Sequence, residues 1–210
     1  MGERAGPTFR EDLAAQREGW LSHGLWALRV HRFGEGRRRI AWRPLRAAWA
    51  ALYHALLVPT RILTGVHIGT GARIGRRLVI EHGFVVINAR AVIGDDVIVR
   101  PGVVIGNRRL DRPHDAPTIG DRVNIGTGAK LLGAIRVGND AAIGANAVVL
   151  KDVPDGHVAL GVPATVRPRR PARGAPASPH CDPIGVPSSA AGRGAPRERD
   201  GAGAHASSVP

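Results

Sequence analysis

An aliphatic residue recurs every six positions through the middle of this chain, and this repeat constrains the fold more than any other feature. An α-helix buries residues at a period of 3.6, so a sustained interval of six is not a helix period. Hexapeptide periodicity is the signature of a parallel β-helix, in which each hexad forms a short strand and a corner. The anchors fall into three groups, each with an interval of six: Ile68, Ile74, Ile80; Ile87, Ile93, Val99, Ile105; and Ile119, Ile125, Leu131, Val137, Ile143, Val149.

The residues between the anchors suit the corners and the narrow interior of such a coil. Four positions after most anchors stands a second small or aliphatic residue, which fits a limited cross-section. The motifs GDD, GDR and GND follow anchors where the chain has to turn, because Gly, Asn and Asp adopt turn conformations at little cost. Phe84 is the only Phe, Trp or Tyr in residues 64–166. The sequence therefore predicts a mainly β fold.

Composition divides the chain into three regions. Residues 1–63 contain all four tryptophans and the single tyrosine, with apolar residues at three- and four-residue spacing. We predict an N-terminal helical region there, whose aromatic residues serve as core or subunit contacts. Residues 64–166 form the predicted β-helix. Residues 167–210 are rich in Pro, Gly, Ala and Arg and lack a hydrophobic period, so we predict a disordered basic tail.

Charge and cysteine content exclude several classes of function. The net charge is +13, but it is spread over all three regions, whereas a nucleic-acid module concentrates charge on one face with aromatic stacking platforms. We therefore expect no nucleic-acid partner. Cys181 is the only cysteine, so no disulfide framework or Cys-based metal site is possible. The apolar run at residues 47–58 is too short to span a bilayer, and we expect a cytoplasmic protein without an integral membrane span.

Two departures from the period of six mark candidate functional positions. The interval from Ile80 to Ile87 is seven residues and contains Glu81, His82 and Gly83. The interval from Ile105 to Ile119 is fourteen residues and contains the polar segment NRRLDRPHDAPT, which we expect to leave the coil as a loop. Irregularities in a regular scaffold are expected at functional sites.

Several of these motifs resemble one family. The segments GVHIGTGARIG, IEHGFVVINARAVIGDDV, TIGDRVNIGTGAKLLG, AAIGANAVVLKDVP and GVPA are similar to bacterial serine acetyltransferases and to the related O-acetyltransferases of exopolysaccharide and colanic-acid-type biosynthesis. The resemblance covers about residues 9–166. It implies a left-handed β-helix that forms a homotrimer or a dimer of trimers. It also implies acetyl-CoA as co-substrate, bound in a groove between subunits, with no metal.

Carried over by position, the resemblance places the catalytic general base at His82. A neutral imidazole accepts a proton near pH 7, and a positioned base contributes roughly 10²–10⁴-fold to rate. Glu81 stands where serine acetyltransferases usually have Asp. His67 stands where the family has the Asp that orients the base. The acceptor contacts fall on the predicted loop, at Asn107, Arg112 and His114, although His114 lies two residues early relative to the family's His-Pro pair.

The donor contacts implied by the resemblance lie in two later corners. Main-chain groups and small side chains form the pantetheine groove at these positions, and two lysines meet the CoA phosphates as charge-assisted contacts. The groove residues are Gly126, Thr127, Gly128, Ala129 and Ala145, and the lysines are Lys130 and Lys151.

Three alternatives remain open at this point. The first concerns the acceptor, which is the L-serine hydroxyl of cysteine biosynthesis or a sugar hydroxyl in exopolysaccharide biosynthesis. The family resemblance favours serine, which we take as the first hypothesis, whereas the His67 replacement and the altered loop favour the sugar. The second is a carbonic anhydrase of the same fold with a three-histidine zinc site, although no two histidines of residues 64–166 lie within six residues of each other. The third is a non-catalytic β-helix scaffold.

Overall fold

A computed structural model describes residues 9–16, 19–37, 41–109, 111–112 and 114–169 of the 210-residue chain. Three α-helices come first: α1 at Phe9–Ala15, α2 at His23–Gly36 and α3 at Arg43–Thr64. A short 3-10 helix, Gly19–Leu21, lies between α1 and α2. Helix α3 has Pro44 in its first turn, and Gly65 caps its C-terminus in the left-handed conformation with φ 66°. None of the helices in the described ranges combines the length and apolarity of a membrane span.

In the described residues, fifteen short strands follow and form three faces, in which all strand pairs are parallel except β14 with β15. The first face has the strand order β1-β4-β7-β10-β13, the second β2-β5-β8-β11, and the third β3-β6-β9-β12-β14-β15. The strands are β1 Val66–Ile68, β2 Arg73–Ile74, β3 Val79–Ile80, β4 Val85–Ile87, β5 Val92–Ile93, β6 Ile98–Val99, β7 Val104–Gly106, β8 Thr118–Ile119, β9 Asn124–Ile125, β10 Lys130–Leu132, β11 Arg136–Val137, β12 Ala142–Ile143, β13 Val148–Val149, β14 His157–Leu160 and β15 Thr165–Pro168. The predicted mainly β, left-handed parallel β-helix is confirmed.

The interior of the β-helix is built from the two inward rows of each hexad. Every anchor identified in the sequence is buried except Ile74, which is partly buried. Strand pairing stacks the anchors directly on one another, as in the ladder Ile68, Ile87, Ile105. The second row is buried as well, from Ala72 to Ala147. Burying a Val, Leu or Ile side chain stabilises the fold by roughly 1.5–3 kcal/mol, so this column of aliphatic side chains is the main source of stability.

At two of the three corners of the β-helix, successive coils each place one residue in the left-handed backbone conformation. The corner after the second face carries Arg77, Asp96, Arg122 and Asp140, with φ between 52° and 57°, and we call it the charged corner. The corner after the third face carries Phe84, Gly102, Gly128 and Asn146, with φ between 55° and 75°, and we call it the EHG corner after Glu81, His82 and Gly83. The corner after the first face contains residues 69–72, 88–91 and 107–117, and we call it the loop corner.

Helices α1 and α2 close the N-terminal end of the β-helix. Gln16 Nε2 donates to the carbonyl oxygen of Leu78 at 2.9 Å, and His31 Nε2 lies 3.1 Å from that of Ala72. Arg32 Nη2 donates to Asp12 Oδ1 at 3.1 Å and to the carbonyl oxygen of Gly75 at 2.9 Å. Backbone groups of the first coil, which has no coil below it, are therefore satisfied by helix side chains.

The C-terminal end is closed by the chain itself. Strand β15 turns back and pairs antiparallel with β14, and Val153 bridges to Val137 at the edge of the second face. The last strand of the first face is covered because the Val148 amide donates to the Gly161 carbonyl oxygen. Strand β15 continues two residues past the β-helix boundary expected at residue 166. Residues 170–210 of the predicted tail lie outside the described residues.

The N-terminal aromatic residues divide into core positions and positions exposed in a single chain, and a role of the exposed ones in subunit contacts stays a prediction. Trp49 stacks on Phe33 with ring centroids 4.2 Å apart, and Tyr53 is buried. The other three tryptophans do not belong to the core of this chain. The exposed fractions are 64% for Trp20, 48% for Trp26 and 67% for Trp42.

Candidate functional site

The one-residue irregularity in the sequence forms an enlarged corner. In the ordinary corner above it, the left-handed residue Gly102 follows the anchor Val99 by three positions. In the EHG corner, Phe84 follows Ile80 by four positions, so one extra residue is accommodated before the turn. Ile80 and Ile87, the anchors on either side of the insertion, are both buried. The extra residue thus enlarges the corner that contains His82, whose side chain is exposed, without disturbing the core.

Gly83 is required where the EHG corner meets helix α3. A Cβ atom at this position would collide with the carbonyl oxygen of Thr64. Gly65 is similarly close, since its own Cβ would lie 3.0 Å from the amide nitrogen of Phe84. The C-terminal end of α3 therefore supports the EHG corner from below, and a glycine lets the two backbones approach.

Glu81 is held by an arginine one coil higher. Arg100 Nε lies 3.4 Å from Glu81 Oε2, and both side chains are 24% exposed. Arg100 also donates through Nη1 to Asn124 Oδ1 at 2.8 Å on the next coil. Sequence reasoning missed Arg100, although the residue one coil above Glu81 can be located by adding the coil length of 19 residues that pairs Val79 with Ile98.

His67 lies on strand β1 and is exposed. The strand register pairs it with Val86, four residues after His82, whereas the coil position below the EHG corner is taken by Thr64 and Gly65. Its role in orienting His82 stays a prediction.

The predicted donor residues stack above the EHG corner. The amide of Gly102 donates to Phe84 O at 3.1 Å, that of Gly128 to Pro101 O at 2.8 Å, and that of Asn146 to Thr127 O at 2.8 Å. Because neighbouring strands are about 4.8 Å apart, the turn at Thr127 lies about 10 Å from the EHG corner and the turn at Ala145 about 14 Å. The structure thus brings His82 and most of the donor residues to one edge of the β-helix.

Close stacking accounts for the small residues of these turns. A Cβ atom at Gly126 would lie 2.6 Å from the Ala145 amide nitrogen, and one at Gly128 would collide with Asn146 Oδ1. Ala129 is wholly buried, so only its main chain is available to a ligand. The side chains of Thr127 and Ala145 are exposed. A flexible pantetheine chain can lie along such an edge, and the residues present fit that ligand.

The two lysines occupy different positions. Lys130 is exposed at the start of β10, and its Nζ donates to the carbonyl oxygen of Gly128 at 2.9 Å, directly beside the donor turns. Lys151 is exposed and follows β13, at the loop corner. Within one chain, therefore, only Lys130 stands beside the turns predicted to hold the donor.

The predicted acceptor residues also lie at the loop corner, on the segment between β7 and β8. Asn107 Nδ2 donates to the carbonyl oxygen of Arg109 at 2.7 Å, and the Arg109 guanidinium pairs with Asp111 at 2.9 Å. Arg112 and His114 are exposed farther along this segment. In a single chain, these three predicted residues and His82 belong to different corners.

A cleft of about 670 Å³ lies between this segment and strand β10, and we call it the loop cleft. Its lining includes Arg108, Arg109 and Arg112 against a single carboxylate, that of Asp115, among the described residues. Such a lining favours an anionic group. Sequence reasoning missed Arg108 and Arg109 as lining residues, and the run NRRLDR was the signal available.

No group of three or more His, Cys, Asp or Glu side chains in the described part of the chain is arranged to hold a metal ion. The zinc alternative would require such a group.

Comparisons with known proteins agree on one family. The protein family described as bacterial transferase hexapeptide (six repeats) matches residues 116–151. A serine acetyltransferase of Mycobacterium tuberculosis is 48% identical over 132 residues, which cover 62% of this chain and 57% of the relative. The chain thus spans less than two thirds of that relative.

Solved structures extend the comparison to the N-terminal helices. A serine acetyltransferase in complex with CoA matches with a TM-score of 0.59 and 31% identity, over 69% of this chain and 57% of the other. Soybean serine acetyltransferase complexed with serine matches with a TM-score of 0.64 and 32% identity, over 76% of this chain and 68% of the soybean chain. Together with the hexapeptide repeats and the EHG corner, these matches show that the chain belongs to the serine acetyltransferase family.

Proposed function

We propose that this protein is an acetyl-CoA-dependent O-acetyltransferase that acetylates the hydroxyl group of L-serine, a reaction of cysteine biosynthesis. The observation that carries the proposal is the EHG corner, where a one-residue insertion sets an exposed histidine on the same edge as the turns at Thr127 and Ala145. Family membership supports it, as do the relatives solved with serine and with CoA.

In the proposed reaction, His82 acts as the general base. The serine hydroxyl oxygen attacks the carbonyl carbon of the acetyl thioester while the imidazole takes the hydroxyl proton. The tetrahedral species then collapses, the C–S bond breaks, and the imidazolium returns the proton to the leaving thiolate. The products are O-acetylserine and CoA, and His82 is regenerated as neutral imidazole. No covalent acetyl-enzyme is required.

The neighbouring groups have supporting roles in this proposal. The Glu81 carboxylate favours the imidazolium that forms during attack, and Arg100 fixes the direction of that carboxylate through the 3.4 Å ion pair. Thr127, Gly128 and Ala145 contact the pantetheine chain through exposed main-chain atoms and small side chains. Lys130 meets a CoA phosphate, since an ammonium group forms charge-assisted bonds with phosphate oxygens.

The acceptor site in this proposal is the loop cleft. Its arginines suit the carboxylate of serine, because a guanidinium binds a carboxylate with two parallel hydrogen bonds. The cleft volume of about 670 Å³ exceeds what one serine occupies, and this observation favours keeping a sugar hydroxyl as the second candidate acceptor.

We further propose a homotrimer as the active form, which associates into a dimer of trimers. His82 and the loop cleft lie at different corners of one chain, so a second copy is needed to bring them together. Exposed apolar side chains support an interface near this site, since Phe84 is 80% and Val86 44% exposed. Helix α3 offers a further apolar face for association, with Ile62 77% and Leu63 78% exposed. The proposed function places the protein in the cytoplasm.

The acceptor is tested by following thiol release from acetyl-CoA with L-serine and, separately, with a panel of free sugars and a purified exopolysaccharide. We expect turnover with serine that disappears in His82→Ala and persists in His23→Ala, a matched variant at an exposed histidine of α2. Turnover with a sugar and none with serine would overturn the serine assignment. Full turnover by a folded His82→Ala variant would overturn the base assignment.

A further inference from the structure

Two adjoining clefts lie away from the EHG corner, where the helices meet the first two coils. One cleft, of about 590 Å³, is lined by Arg37, Arg43 and Arg46. The other, of about 600 Å³, is lined by Arg37, Arg73 and Arg90. Arg37 lines both clefts, and we call the two clefts together the arginine groove. No Asp or Glu lines either cleft among the described residues.

These five arginines differ from the arginines of the charged corner and the EHG corner. At the charged corner, Arg77 pairs with Asp96 and Arg122 with Asp140 through two hydrogen bonds each. Arg100 has Glu81 as its partner. In the described residues, by contrast, no carboxylate forms an ion pair with any arginine of the groove. The groove therefore concentrates positive charge among the described residues.

This concentration of charge points to an anionic ligand with more than one charged group. Like charges held together repel one another, and a bound polyanion removes the repulsion while gaining charge-assisted hydrogen bonds. The guanidinium fork matches two oxygens of a phosphate group. Each cleft has the volume of a small-molecule site, and Thr70 adds an exposed hydroxyl donor in the second one.

We propose that the arginine groove is a second ligand site, separate from the acetyl-transfer site, for a small molecule that carries two or more phosphate groups. One phosphate lies between Arg37, Arg43 and Arg46, and the next between Arg37, Arg73 and Arg90. Within one chain, the EHG corner and the donor turns lie on a different edge of the β-helix from Arg73 and Arg90.

The test is titration calorimetry of the full chain with pyrophosphate and with orthophosphate at constant ionic strength. We expect pyrophosphate to bind at least tenfold more tightly than orthophosphate. The double variant Arg73→Gln/Arg90→Gln should weaken pyrophosphate binding at least tenfold, as expected when charge-assisted hydrogen bonds are lost. Arg136→Gln is the matched control, because Arg136 is an exposed arginine on a β-helix strand outside the groove.

Three results would overturn the proposal. Equal affinity for the two anions would show that only one phosphate is recognised. An equal loss of binding free energy per charge removed in the groove variant and in Arg136→Gln would show that binding depends on net charge alone. A raised KM for acetyl-CoA in the groove variant would assign the groove to the donor site. His82→Ala should bind pyrophosphate as the wild type does, so the groove proposal and the acetyl-transfer proposal can be tested independently.

Discussion

The charged corner and the EHG corner are built on the same coils but use their outward positions differently. At the charged corner, guanidinium and carboxylate groups alternate up the stack, and Asp95 and Asp121 accept backbone amides of the coil below at 2.8 Å. At the EHG corner, one ion pair near the bottom is followed by turns with exposed Thr127 and Ala145.

The difference shows that side chains at one corner satisfy each other, whereas those at the other leave main chain and small residues open to a ligand. Both corners hold a left-handed residue in nearly every coil, so backbone geometry does not distinguish them. Side-chain choice does. The four predictions below test this contrast, and their expected effects decrease from first to last.

Removing the base should have the largest effect. His82→Ala should lower kcat for acetyl transfer by roughly 10²–10⁴-fold, because general-base assistance is lost while the corner backbone remains. Circular dichroism and the thermal midpoint should match the wild type, since the His82 side chain is exposed. A loss of less than tenfold would place the base elsewhere.

Among the residues that contact the charged corner, Asp12 of helix α1 should contribute most to stability. This buried carboxylate pairs with Arg32 and accepts the Arg77 amide at 3.3 Å, and burial raises its pKa while Arg32 opposes the rise. Asp12→Ala leaves Arg32 without its partner and should lower the free energy of unfolding by about 3–5 kcal/mol, measured by urea denaturation.

Asp111→Ala is the control for this measurement. Asp111 belongs to an exposed pair with Arg109 and should cost less than about 1 kcal/mol. Similar losses in both variants would show that the closure of the first coil contributes no more than a surface contact.

Deleting Phe84 should convert the EHG corner into an ordinary one. Glu81-His82-Gly83 would then have the length of Arg100-Pro101-Gly102, with a glycine at the left-handed position. We expect activity to fall about 10²-fold, because a shift of about 1 Å in a catalytic group costs that much. The free energy of unfolding should stay the same or increase, because the deletion removes Phe84 from a left-handed conformation with φ 63°, which is strained for a bulky residue. Undiminished kcat in this variant would separate the insertion from function.

The ion pairs of the charged corner should have the smallest effect. The pKa of Asp96 is lowered by its hydrogen bonds to Arg77, so the stability it contributes is present above its unfolded pKa and is lost as pH falls through the folded value. Asp96→Ala should cost about 0.2–1 kcal/mol at pH 7 and less at pH 2. Denaturation at both pH values measures this, and an equal cost at the two would rule out the ionic origin.

Much of this molecule could be predicted because the coil is a local repeat. One interval of six fixes where Ile80, Val99 and Ile125 point, and the same interval exposes the insertion at His82. The closure of the first coil could not be predicted in this way. Asp12 and Gln16 reach partners more than sixty residues away, and no period links them.

Which of the aromatic residues belong to the core could not be predicted for a related reason. Whether Trp20 or Trp42 is covered depends on how the helices dock, and helical spacing does not determine that. The loop cleft posed the same difficulty, since Arg108 and Leu132 become neighbours only after the chain leaves and re-enters the β-helix.

The closed ends of the β-helix have a consequence for how the protein behaves at high concentration. An unfinished coil presents unpaired amide and carbonyl groups on each of its faces, and such an edge is a template on which another molecule can extend the sheets. Here side chains of α1 and α2 occupy the lower edge, and β15, Val153 and Gly161 occupy the upper one. Growth of the stack into fibres is therefore blocked in both directions, and the protein can associate through its sides without polymerising through its ends.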